Sequence, residues 1–155
     1  MTTGLGIFDT TVQESNLWLK DLMERLGTYD RHHAYSTLRA VLHVLRDRIG
    51  PANATHLGAQ LPMLLRGLYY EGWHMSATPT KERHEAQFLA RVRQELPRAD
   101  EAEVRAAISA VFDLLAKKID SGEAVKLAGV LPKELRGFWP AFIQEAARAK
   151  SAGAA

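Results

Sequence analysis

The sequence predicts an all-α protein: eight helices from two tandem four-helix repeats, packed about a pseudo-twofold axis. Three observations lead to this prediction. Apolar residues recur with helical spacing, a shift of 70 residues aligns the chain with itself, and no segment shows the alternation of a strand. The chain has 155 residues, 46% hydrophobic and 25% charged. A chain of this length buries enough surface for one core, so we expect a single domain over residues 1–155.

The internal repeat is the most specific feature of the sequence. Residues 18–69 align with residues 88–139 without a gap, and 14 of the 52 pairs are identical. Chance at average composition gives about three or four identities. The densest match sets residues 61–67 against residues 131–137. We therefore predict repeats at about residues 11–73 and 81–149, a linker at residues 74–80 and a flexible tail at residues 151–155.

The first helix of each repeat is expected at about residues 11–26 and 81–96. Thr11 precedes Glu14 with the spacing of a capping box, which places the first N-terminus at Thr11.

The second helix of each repeat carries the clearest apolar stripe. Its members are Ala34, Leu38, Val41, Leu42, Leu45 and Ile49 in the first repeat, and Val104, Ile108, Val111, Phe112, Leu115 and Ile119 in the second. Their spacing has a 3.6-residue period, so we expect these residues in the core, with Leu45 and Leu115 near the interface of the repeats. Asp30 and Asp100 stand where an N-cap belongs, and Asp100 with Glu103 fits a capping box.

A shorter third helix follows in each repeat, near residues 52–60 and 122–130. Pro62 and Pro132 then suit the first turn of a fourth helix. The repeats differ beyond that point. Gly72 is placed to end the fourth helix of the first repeat in a left-handed conformation, whereas the second repeat passes Pro140 and resumes an amphipathic helix to about residue 149.

Two segments of the first repeat resemble a known protein family. They are LRAVLHVLRDR at residues 38–48 and AQLPMLLRGLYYEGW at residues 59–73. They resemble the bacterial family called domain of unknown function 2267, and the resemblance covers about residues 10–145. It implies a bacterial, helical, duplicated domain with no assigned activity, and it suggests a role in stress physiology. It carries over no catalytic residues.

Composition and charge exclude several kinds of chemistry. The chain has no cysteine, which excludes disulfides, thiolate chemistry, iron–sulfur clusters and cysteine-ligated zinc. Lys and Arg number 20 against 18 Asp and Glu, and no basic run appears, so nucleic-acid binding is not expected. The start does not resemble a signal peptide, and no apolar run approaches the roughly 18 residues of a membrane span. We therefore expect a soluble, cytoplasmic protein that does not bind membranes.

Sequence motifs indicate neither a catalytic site nor a cofactor. The nucleophile elbow, the P-loop and the Gly-rich dinucleotide turn are all missing. The six histidines are His32, His33, His43, His56, His74 and His84. Their spacing does not converge on a metal, so we interpret them as solvated surface residues and predict no metal site.

Two groups of residues are candidates for binding. Tyr70, Glu71, Trp73 and His74 form a candidate partner surface, because clustered Tyr and Trp anchor many interfaces. The favoured interpretation is that Trp73 and Tyr69 plug the end of the shared core and anchor the linker. Arg66 and Arg136 are equivalent residues in the strongest repeat motif.

The two arginines are candidate contacts for an anion such as a phosphate or carboxylate. The favoured interpretation is structural: each arginine satisfies carbonyls at the end of the preceding short helix, or pairs with an acid across the repeat.

The favoured function is a non-catalytic helical module that binds a protein partner or self-associates, because duplicated helical scaffolds commonly present surfaces. The alternative is a protein that binds a small anionic ligand or nucleotide in a pocket at the junction of the repeats, with Arg66 or Arg136 contacting the anion.

Overall fold

The computed structural model describes residues 2–153 and confirms an all-α fold. Its eight α-helices are α1 (Gly6–Leu26), α2 (Arg31–Arg48), α3 (Pro51–Ala59), α4 (Met63–Tyr70), α5 (Glu85–Glu95), α6 (Glu101–Lys118), α7 (Ser121–Val130) and α8 (Ala141–Gly153). Two short 3-10 helices, Met75–Ala77 and Lys133–Phe138, complete the secondary structure of these residues. None of the helices within residues 2–153 is both long enough and apolar enough to cross a membrane.

Predicted caps define the ends of the two long central helices. The carboxylate of Asp30 accepts hydrogen bonds from the N–H groups of His32 and His33 at the start of α2. Asp100 and Glu103 form the predicted capping box at the start of α6. Gly50 takes a φ of 86°, in the left-handed region that glycine tolerates, between α2 and α3.

The predicted start of α1 at Thr11 is wrong. The helix begins at Gly6, and Thr11 is buried inside it. Its hydroxyl oxygen instead accepts a hydrogen bond of 2.9 Å from the N–H of Leu64, in the first turn of α4. Thr11 therefore caps a different helix, a role that local capping spacing does not reveal.

The linker is fastened to the first repeat. Helix α5 starts at Glu85, four residues later than predicted, because residues 80–84 lie outside any helix and are held at the end of α2. The N–H of Thr80 donates to the carbonyl of Asp47 at 2.8 Å, and Arg48 Nε donates to the carbonyl of Glu82 at 2.8 Å. The segment 80–84 is called the strap below.

The second repeat ends differently from the first. Where the first repeat has α4, the second has the 3-10 helix Lys133–Phe138. Pro62 and Pro132 stand just before these helices and not inside their first turns. Helix α8 then packs on α7 through Ile143 and Ala147, which are both buried. It continues through Gly153, into the segment 151–155 predicted as a tail; residues 154 and 155 lie outside the described residues.

The core forms where the two repeats meet. Val41, Leu45, Val111 and Leu115 are fully buried, as predicted, and α2 packs against α6. The first helix of each repeat also packs on the second helix of the other, α1 on α6 and α5 on α2. Such reciprocal contacts are what a pseudo-twofold axis requires, and the axis itself stays a prediction.

Candidate functional site

Arg66 donates its hydrogen bonds to the end of α3. Its Nε lies 2.8 Å from the carbonyl oxygen of Gly58, and its Nη2 lies 2.9 Å from that of Leu61 and 3.4 Å from that of Ala59. The Gly58 carbonyl also accepts a hydrogen bond of 3.2 Å from the N–H of Leu61. The guanidinium adds hydrogen bonds to the carbonyls at the end of α3 and so acts as a C-terminal cap. The geometry is that of the structural interpretation, and an anion at Arg66 would compete with three carbonyl acceptors.

Arg136 does not repeat this pattern. It lies in the 3-10 helix Lys133–Phe138, half-buried, and its Nε has no hydrogen-bond partner among residues 2–153. The tighter turn of the 3-10 helix places the side chain differently from Arg66 on α4. The two equivalent arginines therefore have different environments.

The candidate partner surface divides into two parts. Tyr70 and Trp73 are half-buried and in contact, with ring centroids 5.4 Å apart. Trp73 packs against the core, and Gly72 before it takes the predicted left-handed φ of 74°. Glu71 and His74 are exposed. The aromatic pair closes one end of the core. Less of the candidate partner surface is therefore accessible than the sequence suggested.

A larger exposed apolar surface lies at the other end of the first repeat. It consists of Leu5, Ile7, Phe8, Val12, Met63 and Leu64, each between 37% and 56% exposed. The hydrogen bond from Leu64 to Thr11 holds the start of α4 against α1. We call these six residues the overhang patch.

The overhang patch is the continuation of a buried helix face. The buried residues of α1 are Thr11, Ser15, Trp18 and Leu22. Ile7 precedes Thr11 by four residues and so continues that face toward the N-terminus, past the edge of the core. The signal was present in the sequence, but the predicted start of α1 at Thr11 left Ile7 and Phe8 outside the helix.

A polar cleft of about 270 Å³ lies between α2 and α5, beside the end of α4. It is at the junction of the repeats, and its lining includes Arg39, His43, Arg46 and Arg91. Arg46 is only 4% exposed. Its Nη1 donates to the carbonyls of Tyr69 at 2.7 Å and Glu71 at 3.0 Å.

His43 is a correction to the sequence analysis. It was expected on the solvated side of α2, but it is 7% exposed and its Nε2 lies 2.6 Å from the carbonyl oxygen of Leu68. Helices α4 and α5 pack on α2, and contacts this distant in sequence are not visible in a local stripe. Burial lowers the pKa of the His43 imidazole, and nearby Arg46 lowers it further, against the opposing effect of the Leu68 hydrogen bond.

Within residues 2–153, no group of three or more His, Asp or Glu side chains is placed to hold a metal ion. No curated protein matches this chain in sequence. Residues 15–149 match the model of a family described as an uncharacterized conserved protein, DUF2267. On that match, which covers most of its length, the chain belongs to the DUF2267 family.

Proposed function

We propose that this protein is a non-catalytic helical module that self-associates through the overhang patch. The supporting observation is the exposure of six large apolar side chains on one end of a monomer. Together they expose on the order of 500 Å² of apolar surface, as much as the largest patch on an ordinary monomer. Patches of this size on monomers commonly mark interaction sites.

Folding alone does not account for this exposure. Met63 and Leu64 correspond, at the 70-residue offset, to Lys133 and Glu134. Lys133 and Glu134 are exposed too, and the Glu134 carboxylate accepts a hydrogen bond from the N–H of Glu85 at the start of α5. These two positions therefore accept charged residues in the second repeat, so folding does not require apolar side chains there. We infer that Met63 and Leu64 have a role other than folding.

A second copy of the chain is the occupant that fits best. Two such patches together bury on the order of 1,000 Å², near the lower limit for a specific interface. An isologous dimer needs a face complementary to itself, and an apolar helix face without buried charge meets that need. The net charge of +2 gives little repulsion between copies.

The test replaces the apolar pair with its counterpart from the second repeat. We expect the wild-type chain to show a concentration-dependent rise in mass by sedimentation equilibrium, and the variant Met63→Lys/Leu64→Glu to stay monomeric with an unchanged helical spectrum. Leu17→Ser, on an exposed part of α1 outside the patch, is the control and should associate normally. A wild-type chain that stays monomeric up to about 0.5 mM contradicts the proposal, as does association that survives the double substitution.

The proposal also includes the expectations that the sequence raised about localisation, origin, partners and ligands. We propose a cytoplasmic, bacterial protein with a stress-related role and an origin by duplication. The family resemblance supports the bacterial origin and the stress-related role, and the 70-residue repeat supports the duplication. Binding of another protein at Tyr70, Glu71, Trp73 and His74 is the second candidate, favoured by the exposure of Glu71 and His74. A nucleotide or other anion held by Arg66 or Arg136 has less support, because the Arg66 guanidinium already caps α3.

A further inference from the structure

The repeats meet along two equivalent interfaces, α1 with α6 and α2 with α5, which we call seams. At equivalent positions, the two seams carry residues of opposite charge. In the α1–α6 seam, Lys117 and Asp21 form an ion pair, with Nζ 2.8 Å from Oδ2. The equivalent residues in the α2–α5 seam are Asp47 and Arg91. The structure records no ion pair between these two: Asp47 pairs with Arg46, and Arg91 pairs with Glu82 of the strap. A cleft of about 270 Å³ lies in this seam instead.

Two buried side chains bring unused hydrogen-bonding capacity to this cleft. Arg46 lines it, and its Nη2 makes no hydrogen bond within residues 2–153 although the rest of its guanidinium is bonded. His43 also lines it. Its Nε2 is committed to the Leu68 carbonyl, which leaves Nδ1 as an acceptor in the neutral ring. Neither atom is sealed from solvent, so both are accessible to a ligand in the cleft.

The lining of the cleft is balanced in charge. Its cations are Arg39, Arg46 and Arg91, and its anions are Asp47, Glu71 and Glu95. The three carboxylates disfavour a simple anion, and the three guanidiniums disfavour a simple cation. A small ligand that carries both a positive and a negative charge can pair with the guanidiniums and with the carboxylates. The volume of the cleft lies below the roughly 300 Å³ at which pockets for drug-sized ligands begin, so the ligand must be small.

We propose that the cleft binds a small zwitterion of the free α-amino-acid kind. Its carboxylate is held by the planar forks of Arg39 and Arg91, and its ammonium group by Glu71 and Glu95. The ion pair between Arg39 and Glu71, at 3.0 Å, lies at the exposed edge of the cleft, so it can open at little cost to admit the ligand. This site is separate from the overhang patch and does not depend on self-association.

The test is an NMR titration of the ¹⁵N-labelled full-length chain with each standard L-amino acid, to about 10 mM. We expect at least one to shift the amide signals of Gly72 and Gln94 in a saturable way. The N-acetyl and carboxamide forms of that amino acid each lack one charge and should bind at least tenfold more weakly.

Arg39→Gln should weaken the same titration at least tenfold, because its ion pair is exposed and its loss leaves the fold intact. Arg93→Gln is the matched control: it removes an exposed arginine from α5 outside the cleft and should leave binding unchanged. Three outcomes overturn the proposal: no saturable shift with any amino acid, equal binding of the N-acetyl form, or wild-type binding by Arg39→Gln.

Discussion

The ring of Tyr70 occupies the space that a side chain at Gly58 would need. A Cβ built on Gly58 would lie 2.7 Å from Cζ of Tyr70, closer than real Cβ contacts allow. The equivalent positions in the second repeat hold Ala128 and Pro140. The small residue and the tyrosine thus occur together, and where the tyrosine is missing a Cβ is accepted.

Gly58→Ala is expected to lower stability by about 1–3 kcal/mol, because the Tyr70 ring must leave its site and disturb Trp73. Denaturant unfolding measures the loss. Gly129→Ala is the control: Gly129 lies in α7 with open space around it, and its replacement should be neutral or stabilising by up to about 1 kcal/mol. Adding Tyr70→Ala should make the Gly58 substitution harmless; a Gly58→Ala variant as stable as wild type shows that the ring yields freely.

Leu45→Ala and Leu115→Ala should each cost about 2–5 kcal/mol, the usual range for a fully buried leucine. Leu45 is a buried residue of α2 and Leu115 of α6, and these two helices pack together. Urea unfolding curves of the two variants give the change, and Leu17→Ala on the exposed side of α1 should change stability by less than about 0.5 kcal/mol. An unchanged midpoint for either core variant is incompatible with the packing described here.

Residues 1–75 expressed alone should fold poorly. In this fragment α1 loses its contact with α6, and α2 loses both α5 and α6, so the buried stripe of α2 becomes exposed. A unit of this size is marginal even with a complete core. Far-UV circular dichroism with heating should show a shallow, non-cooperative change, whereas the full chain melts cooperatively. A sharp melt of the fragment disproves the prediction.

His43 should make the protein less stable in mild acid. Its pKa in the folded state lies below the ordinary value of 6.5, so the unfolded state binds the proton more readily. Its contribution to stability is therefore present above about pH 6.5 and is lost as the pH falls toward the folded-state pKa, by at most about 1.4 kcal/mol per pH unit.

Denaturant unfolding of His43→Gln at pH 7.5 and 5.5 checks this. A glutamine amide can still donate to the Leu68 carbonyl, so the variant should fold and lose less stability than wild type between the two pH values. His74→Gln replaces an exposed histidine and should behave as wild type. Equal pH dependence of wild type and His43→Gln would show that the imidazole does not titrate in this range.

Asp21→Asn should destabilise the α1–α6 seam by about 0.5–1 kcal/mol, a modest value because Lys117 is largely exposed. Although burial raises the pKa of the Asp21 carboxyl, hydrogen bonds from Lys117 and Arg25 lower it overall. The contribution is thus present above its ordinary pKa near 3.8 and disappears as the pH falls further. Acid unfolding of wild type and Asp21→Asn should converge near pH 2; a constant difference would exclude this ion pair as the cause.

The helices could be predicted from the sequence because their signals are local. The stripe of α2 and the caps at Asp30 and Asp100 depend on residues within one or two turns. The starts of α1 and α5 could not be predicted, because each depends on a contact with a segment far along the chain. For α1 this is the contact of Thr11 with Leu64, and for α5 it is the contact of the strap with α2.

The candidate sites were harder to predict for the same reason. The sequence singled out Arg66 by its repetition, but repetition reflects the capping of α3 that the fold needs. The overhang patch and the cleft between α2 and α5 arise where the repeats differ, at Leu64 against Glu134 and at Arg91 against Asp21. Their surroundings come from helices that meet only after folding.

The fastening of the strap to α2 has a consequence for how two chains can combine. Because α1 packs on α6 and α5 on α2, one chain's first repeat could in principle pair with the second repeat of another, in a domain-swapped dimer. Such an exchange needs a hinge that can straighten. Here the hydrogen bonds of Thr80 and Arg48 hold the connection along its own first repeat, so each chain closes on itself. Dimers of this protein should therefore form between the surfaces of folded monomers and dissociate without unfolding.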